Sequence, residues 1–230
     1  MKALIFAAGL GERMRPLTDH TPKPLLRAGG KPLIVWHLEK LAAMGIRDVV
    51  INISWLAGQF PQVLGDGERW GLRLHWSHEG PAPLETGGGM LHARPLLGEE
   101  PFLLVNGDVW TDYDFTRLPA EPAGLAHLVL VDPPVHKAHG DFALHDDGTV
   151  RTEGPRRLTY AGLGVYRPAL LDDWRAVIGD AAGEPPRFML APLLRARMPE
   201  GAITGEHWDG RWTDVGTPER LAELEATLGG

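Results

Sequence analysis

The apolar run Ala3 to Ala8 (ALIFAA), closed by Gly9-Leu10-Gly11, constrains the fold more than any other stretch of the sequence. It is too short for a helix and has no polar alternation, so it reads as a strand covered on both faces. Such strands belong to parallel sheets packed between helices. The pattern continues in kind: a helix from Leu33 to Met44 stopped by Gly45, a buried strand Asp48 to Ile53, a short helix Trp55 to Leu64, a strand Leu72 to Trp76, a Gly/Pro-rich stretch Gly80 to Gly89 leading into a short helix, and a strand Phe102 to Val105. Alternating elements predict parallel strands joined by right-handed crossovers. Beyond about residue 115 the character changes to strands at 124 to 131, 141 to 144, 149 to 152 and 158 to 166, with helices near 188 to 198 and 217 to 228. The expectation is one Rossmann-like α/β domain over residues 1–230, its mostly parallel central sheet flanked by helices, with a smaller, partly antiparallel second half.

Composition narrows the partners. The net charge of −7 with no basic tract argues against a nucleic-acid groove and for an anionic small molecule in a local positive pocket. There is no cysteine, which excludes disulfides and thiolate metal sites. No stretch approaches the ~18 apolar residues of a membrane span, and Met1-Lys2 runs into the first strand without the zones of a signal peptide. A cytoplasmic protein that binds neither membrane nor nucleic acid is expected.

The segment after the first strand, GLGERMRPLTDHTPKP (9 to 24), sits where a dinucleotide fingerprint would begin. Met14 holds its third glycine position, and the second strand ends in Asn52-Ile53-Ser54 rather than an acid. Arg13-Met14-Arg15 likewise fails to supply the Gly-Lys-Ser/Thr of a Walker loop. What remains is a glycine-rich turn that lets backbone N–H groups approach phosphate, followed by Arg13, Arg15 and Lys23, the last held between two prolines. Glycines and charges alone also suit a solvated surface loop.

Two aspartates shift that balance. Asn106-Gly107-Asp108 stands directly off the strand Leu103-Leu104-Val105, so if that strand parallels the first, Asp108 shares the carboxyl edge of the sheet with Gly9. That edge is where open α/β sheets bind ligands. In Trp212-Thr213-Asp214-Val215-Gly216-Thr217-Pro218-Glu219, Asp214 precedes a helix start capped by Thr217. Asp108 and Asp214 need only converge on one Mg²⁺, which takes one or two carboxylates plus substrate phosphates and water. Either aspartate alone would read as a turn or capping residue.

Gly9-x-Gly11-x-Arg13, Pro16-Leu17-Thr18, Pro22-Lys23-Pro24, Asn106-Gly107-Asp108 and Trp212-x-Asp214-x-Gly216-Thr217 together resemble the sugar-1-phosphate nucleotidyltransferase family, over nearly the whole chain. PLETGGG (83 to 89), LLVNGDVWTDYDF (103 to 115) and GLAHLVLVD (124 to 132) are most similar to its N-acetylmuramate α-1-phosphate uridylyltransferase branch, which serves peptidoglycan recycling. The resemblance implies the family's GT-A-like fold, with residues 1–115 mainly binding nucleotide and 116–230 mainly binding sugar and supplying the second metal ligand. It also implies UTP and a sugar 1-phosphate as substrates, Mg²⁺ as cofactor, and a monomer or small homo-oligomer. The carboxy-terminal β-helix domain of bifunctional relatives is expected to be missing.

By the same resemblance, Leu10, Gly11 and Glu12 cradle the triphosphate. Arg13 stabilises the leaving pyrophosphate, and Lys23 contacts the α-phosphate. The loop Glu85, Thr86, Gly87, Gly88 and Gly89 reads the uracil, largely through backbone groups. Asn106, Gly140, Asp141 and Glu153 face the sugar, and Asp108 and Asp214 hold the metal. One position departs: many relatives have Glu-Lys-Pro where this chain has Glu153-Gly154-Pro155, and their lysine meets the sugar phosphate. Arg156 or Arg157 supplies that charge, or both are solvated loop cations. The loss of the lysine puts the acceptor side in question and leaves room for a lactyl ether.

Other features compete less well. Asp112-x-Asp114 resembles a glycosyltransferase metal pair, but Tyr113 and Phe115 alternate with it as on a strand edge. His136-x-x-His139 near Asp141 lacks further ligands for zinc. The tryptophans at 36, 55 and 76 suit packing better than base stacking. Three functions follow: a UTP-dependent sugar-1-phosphate uridylyltransferase; a relative using GTP with mannose 1-phosphate, or dTTP or UTP with glucose 1-phosphate; and a non-catalytic regulatory paralog. The third is disfavoured by the presence of Arg13, Lys23, Asp108 and Asp214 together.

Overall fold

A computed structural model describes residues 1–229. In chain order its strands are β1 (Lys2–Phe6), β2 (Arg27–Ala28), β3 (Lys31–Pro32), β4 (Asp48–Ile53), β5 (Arg73–His78), β6 (Phe102–Asn106), β7 (Val109–Thr111), β8 (Ala126–Val131), β9 (Phe142–Leu144), β10 (Val150–Arg151), β11 (Arg157–Tyr166), β12 (Ile203–Trp208) and β13 (Trp212–Asp214). Its helices are α1 (Leu33–Ala43), α2 (Gln59–Leu64), α3 (Glu85–Leu97), α4 (Trp174–Ile178), α5 (Ala191–Arg197) and α6 (Pro218–Leu228). The described residues form a nine-stranded sheet in which β5, β4, β1 and β6 run parallel. β11 then pairs antiparallel with β6, β8 and β9, and β12 returns parallel to β8. The expected mostly parallel sheet with a partly antiparallel second half is therefore what forms.

The apolar runs explain the layers. Along β1, Ala3 and Ile5 face a core under α1, whereas Leu4 faces a core under α3 and α5. Both faces are dry, as the absence of alternation required. A third, smaller cluster joins Met14 and Trp110 to Val215 and Leu224, so the glycine-rich loop is anchored against α6.

Several boundaries differ from the sequence reading. The second helix starts at Gln59 rather than Trp55, and the helix expected near 188 to 198 runs Ala191–Arg197 before a 3-10 turn. The strands β12 and β13 and the short helix α4 have no counterpart in that reading. The largest correction concerns Glu85 to Gly89, expected as a loop and found as the first turn of α3. Helical glycine costs about 1 kcal/mol relative to alanine, but here no side chain fits. An added Cβ would lie 2.5 Å from the Phe188 ring at Gly87, 2.4 Å from the Pro186 carbonyl at Gly88, and 2.4 Å from Glu79 Oε1 at Gly89.

Candidate active site

The carboxyl ends of β1 and β6 lie side by side, Phe6 opposite Asn106, and the Gly107 N–H donates to the Phe6 carbonyl at 2.8 Å. Two loops therefore leave one edge together. The first turns at Gly11, whose φ of +67° and 2.8 Å approach of a would-be Cβ to Thr18 Cγ2 both demand glycine. The Gly11 carbonyl accepts from the Met14 N–H and the Thr18 hydroxyl, each at 2.8 Å, and Met14 is fully buried beneath it. This loop is a built object, not a solvated excursion.

Its cations are placed differently. Arg13 is exposed at the cavity wall and makes no ion pair among the described residues. Lys23 is buried, and its Nζ donates to Asp108 Oδ2 at 2.5 Å. Arg15 points away, paired with Asp19 at 3.3 Å.

Asp108 and Asp214 do converge. β13 pairs antiparallel with β7, setting Asp214 opposite Val109, and the Val215 N–H donates to the Asp108 carbonyl at 2.8 Å. α1 holds β7 in place: Lys40 donates to the Thr111 and Tyr113 carbonyls at 2.7 Å each, and His37 Nε2 donates to the Val109 carbonyl at 2.9 Å. Burial pushes the His37 pKa down to about 4, so it stays neutral. Arg220 donates to Asp214 Oδ1 and, at 3.1 Å, to its carbonyl; it fits because Gly216 has no Cβ, which would lie 2.4 Å from Arg220 Nη2. With Lys23 on Asp108 Oδ2 and Arg220 on Asp214 Oδ1, the other oxygen of each carboxylate is left for a ligand. Two hard oxygen donors of this kind fit Mg²⁺ completed by water and phosphate.

A cavity of about 590 Å³ opens on this edge. Of the expected residues, Leu10, Gly11, Glu12, Arg13, Lys23, Glu85, Thr86, Asn106 and Asp108 line it. A smaller cavity of about 160 Å³ shares Asn106 and Asp108 and adds Asp214. Gly87 and Gly88 line neither, and both of their N–H groups donate to the Phe188 carbonyl, at 2.8 and 3.0 Å. Thr86 is tied to the same segment, its hydroxyl accepting from the Leu190 N–H at 2.9 Å. Glu85 keeps a φ of +63° while Arg187, also on the cavity wall, contacts its carboxylate at 3.1 Å.

The sugar-facing set is only partly gathered. Gly140, Asp141 and Glu153 lie outside both linings. Asp141 works indirectly: Oδ1 accepts from Lys137 at 2.5 Å and Oδ2 from the Tyr160 N–H at 3.0 Å, and both partners line the smaller cavity. Glu153 is exposed and pairs with Arg157 at 3.1 Å. Arg157 is otherwise spent on the Thr152 and His139 carbonyls, and Arg156 contacts His207. A side chain at Gly154 would meet Ala143 Cβ at 2.7 Å and His145 Nε2 at 2.8 Å.

Glu79 is the residue the sequence reading missed. It lines the main cavity, buried, accepting from Asn52 Nδ2 at 2.6 Å and the Leu84 N–H at 2.7 Å, and burial raises its pKa. Asn52 in turn accepts from the Ala7 N–H at 2.6 Å, coupling β1 to this carboxyl. The polar Asn52, next to last in a strand whose interior is otherwise apolar, was the available signal. The rival motifs have structural uses: Asp112 accepts from the Trp208 indole at 3.1 Å, and Asp114 caps a 3-10 turn. His136 sits 3.1 Å from Asp214 Oδ1, and no group of three or more His, Asp or Glu is arranged to hold a metal among the described residues. Trp36 and Trp55 donate to the Ala28 and Thr18 carbonyls, as packing residues do.

The chain is 48% identical, over all of its length and 99% of the relative's, to the N-acetylmuramate alpha-1-phosphate uridylyltransferase of Neisseria meningitidis. It is 32% identical to the protein of that name in Caulobacter vibrioides, covering 98% and 96% of the two chains. A crystal structure from Bacillus anthracis, described as a glucose-1-phosphate thymidylyltransferase, superposes with a TM-score of 0.84 at 22% identity, over 99% of this chain and 95% of the other. The glycine-rich loop, the paired aspartates and the sheet edge that joins them all fall within residues 2–229, which match the Nucleotidyl transferase family, and the chain belongs to that family.

Proposed function

We propose that the protein transfers UMP from UTP to N-acetylmuramic acid α-1-phosphate, giving UDP-N-acetylmuramic acid and pyrophosphate. The observation that carries this reading is the full-length, 48% identity to a uridylyltransferase of that specificity. The site supports it by setting a cavity lined by Gly11, Arg13 and Lys23 beside a smaller one, with Asp108 shared between them.

An oxygen of the acceptor phosphate attacks the α-phosphorus in line; the new P–O bond forms as the bond to the β-phosphate oxygen breaks, and that electron pair leaves with pyrophosphate. No covalent enzyme intermediate is needed, so positioning and charge stabilisation carry the rate. Arg13, with no competing anion, meets the leaving pyrophosphate. Lys23 meets the α-phosphate, and the Leu10 to Glu12 backbone holds the triphosphate. Glu85, Thr86 and the buried Glu79 line the part of the cavity left for the base. Asp108 and Asp214 would hold Mg²⁺, which when bound supplies charge neutralisation between the nucleotide and the acceptor phosphate. A cytoplasmic monomer or small homo-oligomer acting in peptidoglycan recycling is part of the proposal, and no helix among the described residues is long and apolar enough to cross a membrane.

Incubation with UTP, Mg²⁺ and a panel of sugar 1-phosphates, with the UDP-sugar identified by mass, tests the reading. UDP-N-acetylmuramic acid as the main product is expected; preference for another nucleotide or another sugar would refute it.

A further inference from the structure

Among the groups of the smaller cavity that the reaction above leaves unused are a buried hydroxyl and a lysine. Thr159 lines the cavity at 3% exposure, and among the described residues its Oγ1 has no hydrogen-bond partner. A buried hydroxyl is rarely left unpaired, and one on a cavity wall is paired when a ligand arrives. The other group is Lys137, on the turn between β8 and β9.

The cations of the site sort by partner. Lys23 pairs with Asp108 and Arg220 with Asp214, the two carboxylates proposed for the metal. Lys137 lines the smaller cavity but not the main one, and its partner is Asp141. Asp141 is itself anchored by the Tyr160 N–H at 3.0 Å, so the half-exposed ammonium of Lys137 pairs with a carboxylate that is held in place. The acceptor phosphate must lie beside Asp108, where the two cavities meet, to reach the α-phosphorus. A cation on the wall of the smaller cavity and not of the main one is placed for a second anion on the same substrate. Neither Arg156 nor Arg157 is available for it, being held by His207 and by the Thr152 and His139 carbonyls.

The geometry points to Lys137 as a specificity-determining residue that binds the carboxylate of the acceptor's lactyl ether, with Thr159 Oγ1 hydrogen-bonding the same sugar. The inference rests on the muramate reading and deepens it. It explains how a sugar 1-phosphate bearing a carboxylate is told from one without: the ammonium of Lys137 gains a second anion from the first and only desolvation from the other.

The test compares the parent with Lys137→Met, Lys137→Arg and Thr159→Val on three acceptors: N-acetylmuramic acid α-1-phosphate, its lactyl methyl ester and N-acetylglucosamine α-1-phosphate. Lys137→Met should lower kcat/KM for the free acid on the order of thirtyfold, mainly through KM, with a loss at least tenfold smaller on the ester and on the glucosamine compound. Esterification should then cost Lys137→Met almost nothing, while Lys137→Arg restores most of the preference. Thr159→Val should lower kcat/KM for the free acid by roughly threefold to tenfold. Equal loss on all three acceptors, as a phosphate contact or a purely structural role would give, overturns the assignment, as does no loss. If the parent makes no product from the muramate compound but accepts another sugar, the acceptor reading fails and this inference with it, an outcome visible before any variant is compared.

Discussion

The Val215 N–H donates to the Asp108 carbonyl at 2.8 Å, locking the short strand that carries Asp214 against the one that begins beyond Asp108. Residues far apart in sequence are thereby held as one pair of carboxylates. Asp108→Ala and Asp214→Ala should each lower kcat at least about a hundredfold, some 2.7 kcal/mol of transition-state stabilisation. Because the two act as a unit, the double variant should be far less impaired than the product of the singles. Pyrophosphate release at saturating UTP measures this, and single variants within about tenfold of the parent would defeat the two-carboxylate assignment.

Arg13 is exposed and makes no ion pair among the described residues, so its removal should leave stability within about 0.5 kcal/mol of the parent. Activity should behave otherwise. Arg13→Ala is expected to lose about tenfold to a hundredfold in kcat with a smaller change in KM for UTP, since in the proposed reaction the charge it would meet develops as pyrophosphate leaves. Urea unfolding alongside steady-state kinetics separates the two effects; a large stability loss would show the arginine to be structural.

Gly88→Ala tests why α3 begins with glycines. The new methyl would lie 2.4 Å from the Pro186 carbonyl and 3.3 Å from Arg187 Cα, so the segment packed on the helix must move. Overpacking of this kind costs about 1–3 kcal/mol. KM for UTP should rise as well, because Glu85, Thr86 and Arg187 shift with that segment. An unchanged denaturation midpoint would show the packing to be loose.

His37 gives a pH signature. Its native pKa, about 4, lies below the ordinary value of 6.5 because burial disfavours the cation. The unfolded chain therefore binds the proton first: the stabilising contribution is complete above pH 6.5 and is lost as pH falls toward 4, by about 3 kcal/mol in all. His37→Gln keeps a donor for the Val109 carbonyl and removes the titration. Stability measured from pH 7.5 to 4 should fall more steeply for the parent than for the variant; parallel curves would contradict the buried neutral imidazole.

The parts of the fold and site that could be read in advance share a physical cause. β1, β4 and β6 announced themselves because strands dry on both faces must be continuously apolar, and Asp108 followed from standing at the end of one. β12, with the sequence ITGEHW, has only Ile203 buried, so no apolar run betrayed it. The first turn of α3 was hidden because its glycines look like a loop until Phe188 and Pro186 are seen to occupy the space of their side chains. Glu79 was hidden because its importance lies in contacts with Asn52 and Leu84, which no local pattern encodes. Asp141 and Glu153 were expected at the sugar, yet the structure sends Lys137 and Tyr160 to the wall and leaves Asp141 behind them.

The carbonyl of Phe188 that caps the first turn of α3 has a consequence for biosynthesis. Gly87 and Gly88 emerge from the ribosome long before their acceptor, a delay on the order of ten seconds at ordinary rates of chain elongation. During that interval the cavity at the sheet edge lacks one wall. The order of synthesis thus makes the main cavity among the last features to be completed, and a nascent chain interrupted before residue 188 would carry the glycine-rich loop without the segment that closes the Glu85 end.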